Sequence, residues 1–318
     1  MYMKLITKKI FVTTSSSIID YKTFIRDNAK DGNNYELKYN KLKRKMNSEE
    51  IIENCFNCEG IIAGTELYDK NVLNELKKLK VISRVGVGLD NIDLDYALQK
   101  NIKIFKTDIN LAPAVAELAL GLMLNVARNI SKHDQNLKNG YWKKEMGSLL
   151  TGKTLGIIGL GAIGKELIKL TRGFKFKVLA YDKFQDQVFA KKYQINYCDL
   201  DSLMSSADII SVHLSLSEDT RMFIDKSYID KMKNNAIIIN TSRGEIIDDA
   251  ALYNALNDGQ ILGAGLDVFN EEPYEGPIKK LNNAVITPHI ASYAKEIRVE
   301  METEAANNLL KGLRNVTE

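Results

Sequence analysis

The run Thr154-Leu155-Gly156-Ile157-Ile158-Gly159-Leu160-Gly161-Ala162-Ile163-Gly164-Lys165 constrains the fold of this chain more than any other stretch. An apolar, β-branched segment leads into G-x-G-x-x-G, and an amphipathic pattern follows at once. That is a strand, a tight turn and a helix mouth, the opening of a doubly wound α/β sheet. Gly159 permits the turn, Gly161 lets a pyrophosphate approach bare backbone, and Gly164 lets the helix press on the sheet. The phosphates then meet N–H groups left without partners at a helix N-terminus. Eighteen residues past Gly164 the next apolar segment ends in Asp182, where the adenosine ribose belongs. A carboxylate there accepts from the 2′-hydroxyl and repels a 2′-phosphate, so the pattern predicts NAD over NADP, with Lys183 as the adjacent opposing charge.

The alternation of β-rich and helical patterns extends through all 318 residues, a length that suits two domains. Before the glycine turn, candidate strands are Lys9–Thr13, Tyr35–Tyr39, Gly60–Ala63, Val81–Arg84 and Ile102–Phe105. Helical patterns between them cover Tyr21–Asn28, Ser48–Cys55, Asn71–Leu79 and Leu94–Gln99, which makes a small doubly wound domain. A long helix is expected from Pro113 to Ser131, its apolar stripe packing on either domain or on a second subunit. Six strands follow: Leu155–Gly159, Lys177–Tyr181, Ile209–Val212, Ala236–Asn240, Gly263–Leu266 and Ala284–Ile286. A tail helix, Ser292–Leu310, returns to the first domain. The expected fold is α/β, two doubly wound parallel-sheet domains, with a Rossmann-type NAD-binding domain (109–290) inserted in a flavodoxin-like substrate domain (1–108 and 291–318).

Composition narrows the function classes. The net charge of +3 is spread along the chain, and Lys41–Lys45 reads as a solvated face, so no nucleic-acid partner is expected. The longest apolar segment, Leu111–Val126, is short for a bilayer and contains Glu117, and the N-terminus lacks a secretory pattern. No membrane partner and a cytoplasmic location are expected. Cys55 and Cys58 form a CxxC with no nearby ligands to complete a metal site, and neither metal nor disulfide is expected.

Three short segments each follow a strand of the second series: Thr241-Ser242-Arg243-Gly244, Asp267 to Pro273, and Thr287-Pro288-His289. Ligands of doubly wound sheets bind outside the carboxyl ends of the strands, so Arg243, Glu272 and His289 can converge on a nicotinamide. Oxidising a secondary alcohol needs a base for the hydroxyl proton while hydride leaves for the cofactor. His289 suits both directions near neutral pH. Glu272 favours the imidazolium and orients the ring, and Arg243 offers a permanently charged fork for a carboxylate and a carbonyl oxygen. Singly, each residue has an ordinary structural reading; together, downstream of a dinucleotide turn, they point to chemistry.

These segments, with Ser83-Arg84-Val85-Gly86-Val87-Gly88-Leu89-Asp90-Asn91-Ile92-Asp93 and Val115-Ala116-Glu117-Leu118, make the chain similar nearly end to end to the D-isomer-specific 2-hydroxyacid dehydrogenases, most of all their phosphoglycerate dehydrogenase-like members. The resemblance implies that Arg243, Glu272 and His289 are catalytic, with His289 the proton donor in reduction. It implies cofactor contacts from Ala162, Ile163, Asp182, Thr241, Ser242, Asp267 and Ser292, with Asp267 on the carboxamide. Arg243 and His289 line the same site. Substrate carboxylate would meet backbone at Val87 and Gly88, and Arg243.

On this reading the expected reaction is NAD-dependent interconversion of D-3-phosphoglycerate and its 2-oxo acid, a step of serine biosynthesis. Glyoxylate/hydroxypyruvate reduction is the alternative, and a non-catalytic NAD-sensing corepressor a third. A homodimer is expected. Two departures stand out. Ser215 and Ser217 replace the usual Pro and Thr on the adenine side, and no arginine lies near Gly64, where many phosphoglycerate dehydrogenases hold the substrate phosphate. Arg84, Lys295 and Arg298 are the substitutes on offer.

Overall fold

A computed structural model describes residues 7–314. The chain divides into two compact units, one of residues up to Asn110 together with those from Ala294, the other Leu111–Tyr293. Elements are numbered in chain order.

The first unit is built on β1 (Thr7–Val12), β2 (Asn34–Tyr39), β3 (Gly60–Ala63), β4 (Val81–Arg84) and β5 (Lys103–Lys106), all parallel in the order 2-1-3-4-5. This is the flavodoxin-like order, with its reversal between β1 and β3. Between the strands run α1 (Tyr21–Asn28), α2 (Ser48–Cys55), α3 (Lys70–Glu75) and α4 (Leu94–Gln99). Asp20, Asn47, Asp69 and Asp93 cap these helices through their side chains, each worth about 1 kcal/mol. One face of the sheet packs Ile61, Ile82, Val72 and Leu73 into a core. The other face is covered by α12 (Lys295–Arg314), whose Met301, Ala305, Leu309 and Leu313 are buried. Gly312 permits the close approach, since a Cβ there would lie 2.8 Å from Val81 and Phe105.

The second unit begins with α5 (Ala112–Arg128) and α6 (Ile130–Lys138). Its sheet comprises β6 (Thr154–Ile158), β7 (Lys177–Tyr181), β8 (Ile195–Tyr197), β9 (Ile209–Val212), β10 (Ile237–Asn240), β11 (Gly263–Leu266) and β12 (Ala284–Ile286). The order 12-11-10-9-6-7-8 is the Rossmann arrangement with one further strand, reversing between β6 and β9. The flanking helices are α7 (Ala162–Leu170), α8 (Gln187–Tyr193), α9 (Leu200–Ser206), α10 (Lys226–Ile229) and α11 (Asp249–Asn257). Strands β9, β10 and β11 are buried along their whole length, as parallel strands covered on both faces must be.

Several expectations need correction. The sheet has seven strands, not six. Strand β8 is three residues long with a single β-branched side chain, too short to leave a pattern. The long helix expected to Ser131 stops at Arg128, because Asn129 adopts the left-handed conformation (φ 53°) and its N–H bonds back to Asn125 and Val126. Its apolar stripe is buried within the second unit, against α7, β10 and β11. The tail helix starts at Lys295 and runs to Arg314, and α3 is shorter than expected. Among the described residues no helix is long and apolar enough to cross a membrane. Cys55 and Cys58 are free and buried, and the described residues hold no cluster of metal-ligating side chains.

Candidate active site

The glycine turn joins β6 to α7 at the point where the second sheet reverses. Gly159 has φ +93°, and a Cβ there would lie 2.9 Å from the His213 carbonyl carbon and oxygen at the end of β9. A side chain is therefore barred twice, by conformation and by contact. A Cβ on Gly164 would lie 2.7 Å from the Gly159 carbonyl oxygen, which is the helix–strand packing the third glycine allows. Gly161 caps α7 and has open space where its Cβ would be. With exposed Ala162 and half-buried Ile163, it leaves the first-turn N–H groups without a side chain over them, where a phosphate could accept from them.

Asp182 follows β7 beside this turn. Its Oδ2 accepts from Leu160 N at 2.7 Å and its Oδ1 from Phe184 N at 2.8 Å. The carboxylate thus ties down the turn while each oxygen keeps acceptor capacity for a ribose hydroxyl. Lys183 points to Asp219 (3.0 Å), an exposed pair.

The loops after β10, β11 and β12 come together at the carboxyl edge of the sheet. Asn240, 1% exposed at the end of β10, accepts from Ser242 N and Oγ and donates Nδ2 to the Arg243 carbonyl at 2.8 Å. It shapes the turn that presents Arg243, whose Nη1 donates to the Ser242 carbonyl. The next residue, Gly244, packs so closely that a Cβ would overlap the Phe269 carbonyl carbon at 2.0 Å. The Arg243 turn and the loop leading to Glu272 are therefore locked together. Thr241 Oγ1 is buried with no hydrogen-bond partner, an orphan a bound cofactor would satisfy.

His289 is held in the left-handed region (φ 55°), its N–H donating to the Asp267 carbonyl at 2.8 Å. Its Nδ1 faces both Glu272 oxygens at 3.1 and 3.0 Å, so Nε2 is the nitrogen turned away from the carboxylate. Fully buried Asp267 accepts from Thr287 Oγ1 (2.6 Å), Ile290 N and Ala291 N (both 2.8 Å). Burial pushes its carboxyl pKa up, against the pull of those three bonds and of His289. One acceptor position on Oδ2 remains for a carboxamide N–H. Ser292 is half-buried in the loop beyond. Asn240, which orients Arg243, and Thr287, which holds Asp267, carry no role that the sequence alone assigns. An amide or hydroxyl shows its orienting role only once its loop is folded.

In the first unit, Val87 is 39% exposed on the loop after β4, with Gly88 beside it. The three substitute phosphate ligands sit in different surroundings. Arg298 is 4% exposed and ion-paired at 2.5 Å with fully buried Glu302, which also accepts from Ile18 N and Ile19 N. Arg84 donates Nη1 to the Val85 carbonyl and lies against Gly86, and Lys295 is exposed at the start of α12.

Residues 120–291 match the model of the D-isomer specific 2-hydroxyacid dehydrogenase NAD binding domain. The chain is 39% identical over 280 residues to the D-3-phosphoglycerate dehydrogenase of Archaeoglobus fulgidus, covering 86% of this chain and 53% of that protein, so it spans about half the relative's length. It is 42% identical over 249 residues to the hydroxypyruvate reductase of Thermotoga maritima, with 76% of this chain and 80% of the relative covered. The crystal structure of a glyoxylate reductase from Paecilomyes thermophila superposes with a TM-score of 0.79 at 29% identity, covering 95% and 94% of the two chains. The second unit is an NAD-binding domain, and the chain belongs to the D-isomer specific 2-hydroxyacid dehydrogenase family.

Proposed function

We propose that this chain reversibly transfers hydride between NAD and a D-2-hydroxy acid, with Arg243, Glu272 and His289 as its catalytic residues. The observation that carries the reading is the His289–Glu272 pair at 3.0 Å beside the Arg243 turn, on the carboxyl edge of an NAD-binding sheet. When bound, NAD supplies the hydride donor or acceptor. The residues proposed to hold it are Gly159, Gly161, Ala162, Ile163, Gly164, Asp182, Thr241, Ser242, Asp267 and Ser292. In reduction, His289 Nε2 gives its proton to the oxygen of the 2-oxo group, and Glu272 balances the imidazolium beforehand. Arg243 holds the substrate carboxylate and draws density from the carbonyl oxygen, and Val87 and Gly88 offer backbone to that carboxylate.

Relatives named for both phosphoglycerate and glyoxylate or hydroxypyruvate chemistry leave two substrate readings. D-3-phosphoglycerate, with a place in serine biosynthesis, is favoured by the similarity to the phosphoglycerate dehydrogenases. Glyoxylate or hydroxypyruvate is favoured by the commitment of Arg298 to Glu302. Turnover of NADH and NADPH with phosphohydroxypyruvate, hydroxypyruvate and glyoxylate separates them. Cofactor binding with no turnover of any acid supports the corepressor-like reading instead.

We also propose a homodimer. Beyond α6, Tyr141, Trp142, Met146 and Leu149 are 66–95% exposed, an apolar stretch that a second copy would cover. Light scattering giving a monomer mass at micromolar concentration contradicts it.

A further inference from the structure

The first unit holds a buried carboxylate that the proposed chemistry does not use. Glu66, on the loop leaving β3, is 2% exposed. Its Oε2 accepts from Thr13 Oγ1 at 2.7 Å and from the Gly64 N–H at 2.9 Å. Thr13 follows β1 and Gly64 follows β3, the strands on either side of the reversal in the 2-1-3-4-5 order. That reversal, at the carboxyl ends of the strands, is where doubly wound sheets bind ligands. Glu66 therefore lays its carboxyl group on the uncharged donors that an incoming anion would use, where burial pushes its pKa up against the pull of those bonds.

Gly64 explains how the carboxylate folds back. A Cβ at that position would lie 2.9 Å from Glu66 Oε2 and 3.3 Å from Oε1. Any side chain there, an arginine included, competes with the carboxylate for the same space. The Glu66 loop is also fastened to the loop that carries Val87 and Gly88. Asn91 Nδ2 donates to the Glu66 carbonyl at 2.6 Å, Tyr68 N to the Asn91 carbonyl at 2.8 Å, and Val85 N to the Ala63 carbonyl at 2.8 Å.

We propose that Glu66 is a specificity-determining residue that selects short, unphosphorylated 2-oxo acids, such as glyoxylate and hydroxypyruvate, by excluding a second anionic group from this crevice. The inference rests on the dehydrogenase reading above. A substrate bringing only its own carboxylate leaves the crevice to Glu66. A distal phosphate entering this crevice would bring close to two further negative charges to a carboxylate in low-dielectric surroundings, a repulsion that would act against one substrate class.

The test is kcat/KM at pH 8 with NADH for glyoxylate, hydroxypyruvate and phosphohydroxypyruvate, in the wild type and in Glu66→Gln, which keeps the shape and removes the charge. The wild type is expected to prefer hydroxypyruvate over phosphohydroxypyruvate by about tenfold or more, and Glu66→Gln to shrink that ratio by about tenfold. Glyoxylate turnover and the NADH dissociation constant stay within about threefold. A ratio unchanged by the substitution overturns the role of Glu66, and so does a wild type that favours the phosphorylated acid, a result that stands even if the variant does not fold. A wild type that turns over none of the three rules these substrates out, and with them the selection assigned to Glu66.

Discussion

Nδ1 of His289 and Oε2 of Glu272 lie 3.0 Å apart, with side chains 30% and 21% exposed, partly shielded yet within reach of a substrate. The carboxylate holds the ring by Nδ1 and directs Nε2 outward. Glu272→Gln keeps a hydrogen-bonding oxygen but removes the charge. It is expected to lower kcat by about two orders of magnitude while NADH affinity, measured by fluorescence titration, changes by no more than about twofold.

Asp182 touches both the turn and the proposed ribose position. Asp182→Asn retains an acceptor for the Leu160 N–H and gives up the charge that repels a 2′-phosphate. The ratio of kcat/KM for NADH over NADPH is expected to fall by about tenfold or more; an unchanged ratio would place cofactor choice elsewhere.

Gly244 tests the locking of the two catalytic loops. Gly244→Ala drives a methyl group into the Phe269 backbone, where the ideal contact is 2.0 Å, so one loop must move. Turnover should drop by about tenfold or more with a lowered Tm, since displacements near 1 Å at a reacting site are costly. Wild-type kinetics in this variant would show that the loops are not coupled.

His213 carries a pH prediction. Half-buried, with Ser211 Oγ at 2.9 Å from Nε2 and its Nδ1 shielded and without a partner, the imidazole has its pKa lowered by desolvation to about 4. The unfolded chain takes up this proton near pH 6.5 and the native state only near 4, so native stability is lost as the pH falls between those values. The loss at pH 5 is about 2 kcal/mol. Urea denaturation at pH 7 and pH 5 should show it in the wild type and not in His213→Gln; equal pH dependence in both contradicts the assignment.

The buried pair in the first unit is a structural counterpart. Fully buried Glu302 accepts from Arg298, Ile18 N and Ile19 N. Glu302→Ala strands all three donors and is expected to cost about 3–5 kcal/mol in chemical denaturation.

How much of this was readable beforehand depends on what each feature is made of. The glycine turn and Asp182 are legible because they combine a strand pattern, a backbone requirement and a fixed spacing. The trio of Arg243, Glu272 and His289 is legible because each lies on a loop that leaves the carboxyl end of a strand, and loop ends of such sheets carry function. Strand β8 is not legible, since Ile195-Asn196-Tyr197 is too short for periodicity. The break at Asn129 rests on one left-handed residue in an otherwise continuous helical stretch. Glu66 was hidden for a different reason. Attention to a missing arginine near Gly64 looks for a positive side chain, and only the folded loop shows that a carboxylate from two residues away fills the space instead.

His289 is proposed to hand its proton to a 2-oxo acid beside bound NADH. The direct measurement is steady-state NADH oxidation with hydroxypyruvate, glyoxylate and phosphohydroxypyruvate by the wild type and by His289→Asn, together with the NADH dissociation constant of each. Turnover by the wild type is expected, with a kcat about a hundredfold or more lower in the variant and NADH binding within about threefold of wild type. Equal losses in turnover and NADH affinity would contradict it, as would a wild type that binds NADH and reduces none of these acids.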